Sequence, residues 1–193
     1  MANIGLKNAK YNEIDYTTKK YKTLVDSKVP VLGKLIDAKL TENRSDVSLF
    51  ADDVLEEYDN SFTGGNIAIT LSDVDDETYS TVKGCVISEG EVTENEDDSS
   101  PEIGYGHIIT KMINGERKYK VEFLPRIRVT KITADAKTKG ENIEFNTVSL
   151  EAKVMALKEA INGMAAGTWH KIETFDTLTA AQTYLNGLLT PVA

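Results

Sequence analysis

One cysteine, two histidines and no long apolar run set the first limits on this 193-residue chain. Cys85 standing alone excludes an intramolecular disulfide and a two-cysteine metal site, and a lone thiol followed by Val86 and Ile87 is expected to pack in the core as a small hydrophobe. His107 and His170 are too few for a histidine-rich metal centre. No stretch approaches the roughly 18 apolar residues of a bilayer-crossing helix, and the first residues lack the basic-then-apolar order of a secretion signal, so the sequence reads as a protein made and used in water. Gly-x-Ser-x-Gly and the phosphate-cradling Gly-x-x-x-x-Gly-Lys are both missing. The carboxylates of residues 73–77 and 94–98 lack the alternating ligands and central glycine of a calcium loop. With no catalytic, cofactor or metal site in view, the chain reads as a non-enzyme.

What the sequence does have is charge in blocks. Residues 1–40 carry eight lysines against four acids, residues 41–102 two basic residues against eighteen acids, and residues 103–193 twelve against nine, for a net charge of −9. Phosphate-binding proteins need the opposite balance. Block asymmetry suits an interface in which one part of a subunit meets a differently charged part of the next.

The apolar pattern is mostly of period two, which predicts strands. Ile36, Ala38 and Leu40 share one face, Val47, Leu49 and Ala51 another, and Tyr119, Val121 and Phe123 a third. Asn114-Gly115 is the strongest hairpin signal, and Pro125 is expected to end pairing or sit at an edge. Residues 11–29 show no period and read as an extended arm or long loop, while residues 41–46 and 52–60 read as a charged excursion. A helix is predicted over residues 73–83, capped by Ser72 and stopped by Gly84. A second helix is predicted after a short strand near Trp169, with Thr179 and Gln182 at capping-box spacing. Another strand is expected over residues 143–154. These elements predict a mainly β fold of two packed antiparallel sheets, a β-sandwich or barrel, with one flanking helix and a short C-terminal helix. Residues 1–159 form the main β domain in this reading, and residues 160–193 a small extension of strand and helix, either separate from that domain or integral to it.

Several segments carry a family likeness. They are the start Met1-Ala2-Asn3-Ile4-Gly5-Leu6-Lys7-Asn8-Ala9-Lys10-Tyr11; Ser48-Leu49-Phe50-Ala51-Asp52-Asp53, then Ser61-Phe62-Thr63-Gly64-Gly65-Asn66 leading into Ile67-Ala68-Ile69-Thr70-Leu71; Pro101-Glu102-Ile103-Gly104-Tyr105-Gly106; and Thr138-Lys139-Gly140-Glu141-Asn142-Ile143-Glu144-Phe145-Asn146-Thr147. In order and spacing they resemble the major tail protein family of long-tailed, non-contractile phages.

That resemblance implies a virion protein, made in the host bacterial cytoplasm, whose six-subunit rings stack into a tail tube. Inner strands would join into one barrel lining the channel, and a long hairpin or loop would reach a neighbouring subunit or ring. Its implied partners are other copies of itself, the tape-measure protein, distal tail and tail-terminator proteins, and double-stranded DNA in transit without stable binding. The candidate inter-subunit or lumen residues are Asp52, Asp53, Glu56, Glu57 and Asp59 with Lys19, Lys20 and Lys22. The other readings are a tube component of a contractile tail or tailocin, and a monomeric surface binding module.

Overall fold

A computed structural model of the chain describes residues 2–134 and 147–192. The segment Thr138 to Asn146 and the start of the strand expected at Ile143 lie outside the described residues. In chain order the elements are β1 (Ala2–Asp15), β2 (Lys20–Tyr21), β3 (Val31–Gly33), β4 (Leu35–Arg44), β5 (Val47–Ala51), β6 (Val54–Asp59), β7 (Phe62–Leu71), α1 (Asp76–Lys83), β8 (Val86–Ser88), β9 (Glu91–Thr93), β10 (Glu102–Ile113), β11 (Glu116–Ala134), β12 (Val148–Val154), β13 (Lys171–Phe175) and α2 (Leu178–Leu189).

Nine strands form one antiparallel sheet in the order β2-β1-β10-β11-β12-β7-β4, with β13 added to β11 and β3 to β1. Only Lys34 separates β3 from β4, yet β3 pairs with β1 and β4 with β7. This bent segment therefore joins the two ends of the sheet and curls it into a barrel. The β1-β10-β11 half and the β4-β7-β12 half face each other across a core of Tyr11, Leu32, Ile69, Tyr105, Ile127 and Leu150. The mainly β class, the antiparallel layers, the flanking helix and the C-terminal helix are as the sequence predicts.

A second core lies on the outer side of β10 and β11, where α2 buries Ala181, Leu185 and Leu189 against Ile108, Val121 and Phe123. Covered on both sides, β10 is buried from Glu102 to Thr110. Its two glycines make that possible. A Cβ on Gly104 would lie 2.5 Å from the Tyr21 hydroxyl, and one on Gly106 would lie 2.4 Å from Leu185 Cδ1. The Gly104-Tyr105-Gly106 motif thus places Tyr105 in the barrel while admitting a tyrosine and a helix on the other face. Backbone carbonyls near the end of α2 are taken up by Asn12, which donates to Leu189, and by Asn162, which donates to Leu188 and Thr190.

A charged cluster ties β10 to β11. Arg126 grips Glu102 with two bonds of 2.6 and 2.7 Å, donates to the Ala156 carbonyl at 2.8 Å, and shares the carboxylate with Arg128 and the Tyr16 hydroxyl. These donors hold the Glu102 carboxyl down at about 2.

Six local expectations are corrected. Residues 11–29 are no free arm: Tyr11 and Ile14 belong to β1, and Tyr21 and Val29 are buried. Ile36 is exposed, because a register shift between Leu35 and Asp37 turns Leu35 inward instead. β11 runs through Pro125, where a bulge opposite Ile103 and Tyr105 removes the need for its missing N–H. Asp75, not Ser72, caps α1 by accepting from the Thr78 amide, and Gly84 ends it in the left-handed region. Thr177 caps α2 by accepting from the Ala180 amide. Cys85 is half-buried rather than part of the core.

Candidate assembly surface

Between β4 and β7 the chain leaves the barrel as a separate two-stranded hairpin, β5 with β6. Asp52 and Asp53 form its tip with φ of 50° and 63°, the positive pair of a type I′ turn. At its base Ser45 donates to the Ser61 carbonyl at 2.8 Å, and Phe62 stacks on Trp169 with ring centroids 4.1 Å apart. Asp59 accepts from the Ser61 amide and hydroxyl; bonds from Ser45 and Ser61 lower its pKa. The nearby Asp46 carboxylate raises that of Tyr58.

Every residue of both strands is exposed. Cross-strand pairing sorts them into two faces: Val47, Leu49 and Val54 with Glu57 and Asp59 on one, and Phe50, Leu55 and Tyr58 on the other. These six apolar side chains are between 51% and 66% exposed. So much apolar surface on one projection marks an interaction site.

Of the residues singled out from sequence, Asp52, Asp53, Glu56, Glu57 and Asp59 all lie on this hairpin, two at its tip and three on β6. The lysines lie elsewhere. Lys22 pairs with Glu13 at 2.6 Å, Lys19 with Glu159 at 2.6 Å, and Lys20 sits in β2. The hairpin's apolar residues are what sequence reasoning missed as a site. Their signal was the pair of apolar doublets, Leu49-Phe50 and Val54-Leu55, which place hydrophobes on both faces of a strand pair.

The barrel also has open edges. Among the described residues β4 pairs only with β7 beyond Leu35, and β11 has no partner on its β10 side beyond Arg128. The four strands between these edges, β4, β7, β12 and the distal part of β11, expose an outer face of Asp37, Lys39, Asn66, Glu151, Lys153 and Thr130. Unpaired strand edges are templates for another chain.

Solved structures similar to this chain include two phage-related ones. One is the anti-feeding prophage tube-terminating cap, at 10% identity over 90% of this chain and 93% of that one, with a TM-score of 0.47. The other is the SPP1 tail tube, at 10% identity over 93% and 84%, with a TM-score of 0.44. No family model and no curated protein matches the sequence.

At the other end of the β4–β7 ribbon, a groove of about 900 Å³ opens between α1 and the segment leading to β3. Leu24, Val25, Val31 and Ile87 line it with Glu13, Lys22 and Lys28, while Asp75, Asp76 and Glu77 line the α1 side. Elsewhere His107 is buried opposite Glu122, its Nε2 3.9 Å from the carboxylate, and burial holds its pKa down at about 4. Among the described residues no group of three His, Cys, Asp or Glu side chains is placed to hold a metal, and no helix is long and apolar enough to cross a membrane.

Proposed function

We propose that this chain is a structural subunit of a phage tail tube, self-assembling into rings that stack around a channel for genome delivery. The observation that carries this reading is the β5–β6 hairpin: six large apolar side chains, all at least half exposed, stand clear of their own barrel. An isolated two-stranded hairpin is marginal in water, so a surface of this kind calls for a partner. The order of the family-like segments supplies the identity of that partner as further copies of the same chain.

The open edges fit the same reading. Joining the β4 edge of one copy to the distal β11 edge of the next removes both edges in a single head-to-tail contact, and such contacts close into rings when the rotation allows. Six copies would set twenty-four strands around one bore, with the mixed-charge outer face of β4, β7, β12 and β11 turned inward. A wall of that kind, on a chain of net charge −9, lets phosphates pass without a continuous basic surface to hold them. The tape-measure protein would occupy the bore during assembly, and distal tail and terminator proteins would meet the two ends.

The test is removal of residues 46–60, with Ser45 joined to Ser61 through a short Gly-containing turn, followed by light scattering against concentration. The shortened chain should melt like the parent and stay monomeric where the parent grows in mass. Equal growth by both would refute the role given to the hairpin.

A further inference from the structure

We infer that the chain carries a binding site for a phosphate group, in the basic cavity where β10 begins beside β11 and β12. The inference stands apart from the tube reading. The cavity, of about 420 Å³, is lined by Arg126, Arg128, Lys153 and Lys158 and by a single carboxylate, Glu102. The chain as a whole carries a net charge of −9, but the nearest charges, not the distant and screened ones, set the field inside a site.

Glu102 does not balance these cations. Its Oε1 accepts from Arg126 and Arg128, and its Oε2 from Arg126 and the Tyr16 hydroxyl. Those donors fill the roughly four acceptor positions of a carboxylate. The other acids close by in sequence are engaged as well. Glu159, next to Lys158, pairs with Lys19 at 2.6 Å, and Glu151, on the same face of β12 as Lys153, faces Lys131 at 3.7 Å. Lys153 and Lys158 therefore have no carboxylate partner among the described residues.

A second, independent observation points to an anion. Arg128 and Lys153 stand directly opposite each other in the β11–β12 ladder. Like charges so placed destabilise a sheet, and an anion held between them turns the repulsion into attraction. Arg126 adds a fixed donor: it is buried, and its bonds to Glu102 and the Ala156 carbonyl leave part of its N–H set without an acceptor among the described residues. Guanidinium forks and lysine ammonium groups are the side chains that hold phosphate oxygens. Four cations over one carboxylate leave a surplus of three charges, which a phosphate of about −2 with several acceptor oxygens meets better than a lone carboxylate does. One such cavity per chain is a spot rather than a continuous basic surface, so the outer face of the barrel does not become a phosphate-holding wall.

The experiment titrates the dispersed full chain with sodium phosphate at matched ionic strength and follows the backbone amides by NMR. Signals of Arg128, Lys153 and Lys158 should move together and saturate. K153Q/K158Q should raise the phosphate Kd at least about tenfold, a change of about 1.4 kcal/mol. K7Q/K34Q, which removes two exposed lysines elsewhere, should leave it unchanged. Without phosphate, K153Q/K158Q should melt no lower than the parent, because it relieves the repulsion with Arg128 and leaves the Arg126–Glu102 pair intact. A short DNA duplex added to the phosphate-bound chain assigns the source: displacement of phosphate makes the group a nucleic-acid backbone phosphate, and no displacement makes it a free anion. Shifts that never saturate, that spread over lysines across the whole surface, or that K153Q/K158Q leaves as they were would overturn the site.

Discussion

Replacing Glu102 by glutamine tests the buried ion pair that ties β10 to β11. The substitution keeps the shape but removes the charge that Arg126 grips through two bonds of 2.6 and 2.7 Å, and Arg126 is buried. Breaking one half of a buried pair is costly because the other charge stays behind. The native carboxyl lies at about 2 against an ordinary 4.5. A difference of that size is worth about 3 kcal/mol at neutral pH, and solvent reaching the site through Arg128 reduces it to about 2 kcal/mol.

For a chain of this length such a loss lowers Tm by about 4–8 °C. Because the folded pKa is depressed, the contribution is whole above the unfolded value of 4.5 and fades as pH falls toward 2. Urea melts of parent and E102Q at pH 7 and near pH 2.5 provide the assay. The gap between them should narrow sharply at the lower pH. A gap below about 0.5 kcal/mol at pH 7, or one of the same size at both pH values, would refute the charge argument, since surface substitutions alone reach that level.

His107 makes a separate acid-sensitive contribution: buried beside Glu122 and Lys120, it stays neutral down to about 4 while the unfolded chain protonates near 6.5. Stability should therefore fall by about 2–3 kcal/mol from pH 6.5 toward pH 4, and melts of H107Q across that window should be flatter than the parent's. G104A drives a methyl group toward the Tyr21 hydroxyl, 2.5 Å away, and should cost about 2–4 kcal/mol by overpacking. G115A, with no neighbour within 4 Å, should cost only the strain of its φ of 83°, about 1 kcal/mol; equal losses in chemical denaturation would mean that packing at Gly104 is not what counts. D52A/D53A/E56A/E57A should weaken assembly and remove its dependence on salt in a scattering titration, and normal polymerisation at low and high salt would move the contact region elsewhere.

Local chemistry made some of the fold readable. Asn114-Gly115 turns with φ of 51° and 83°, Gly84 ends α1 at 80°, and Val121 and Phe123 are buried where alternation puts them. Features fixed by distant partners were not readable. Asn12 breaks the apolar pattern of β1, yet it is buried because the carbonyls of Lys22 and Leu189 accept its amide protons. Ile36 and Pro125 each sit beside a register shift, and a one-residue slip reverses which face a side chain joins.

The hairpin was legible in part. Its five acids were picked out and do lie together, but the Asp52-Asp53 tip lacks the glycine that announces a tight turn, so the apolar residues beside them read as an ordinary half-buried strand. Of the lysines chosen with them, Lys22 faces Glu13 and Lys19 faces Glu159 of their own chain, a pairing that charge counting along the sequence has no means to show.

The central claim is self-assembly into a tube, and negative-stain electron microscopy of the purified, concentrated protein tests it most directly. The account predicts rings or stacked tubes with a central channel. A strict monomer at every concentration, unchanged when preassembled distal tail complex is added to nucleate growth, would contradict it.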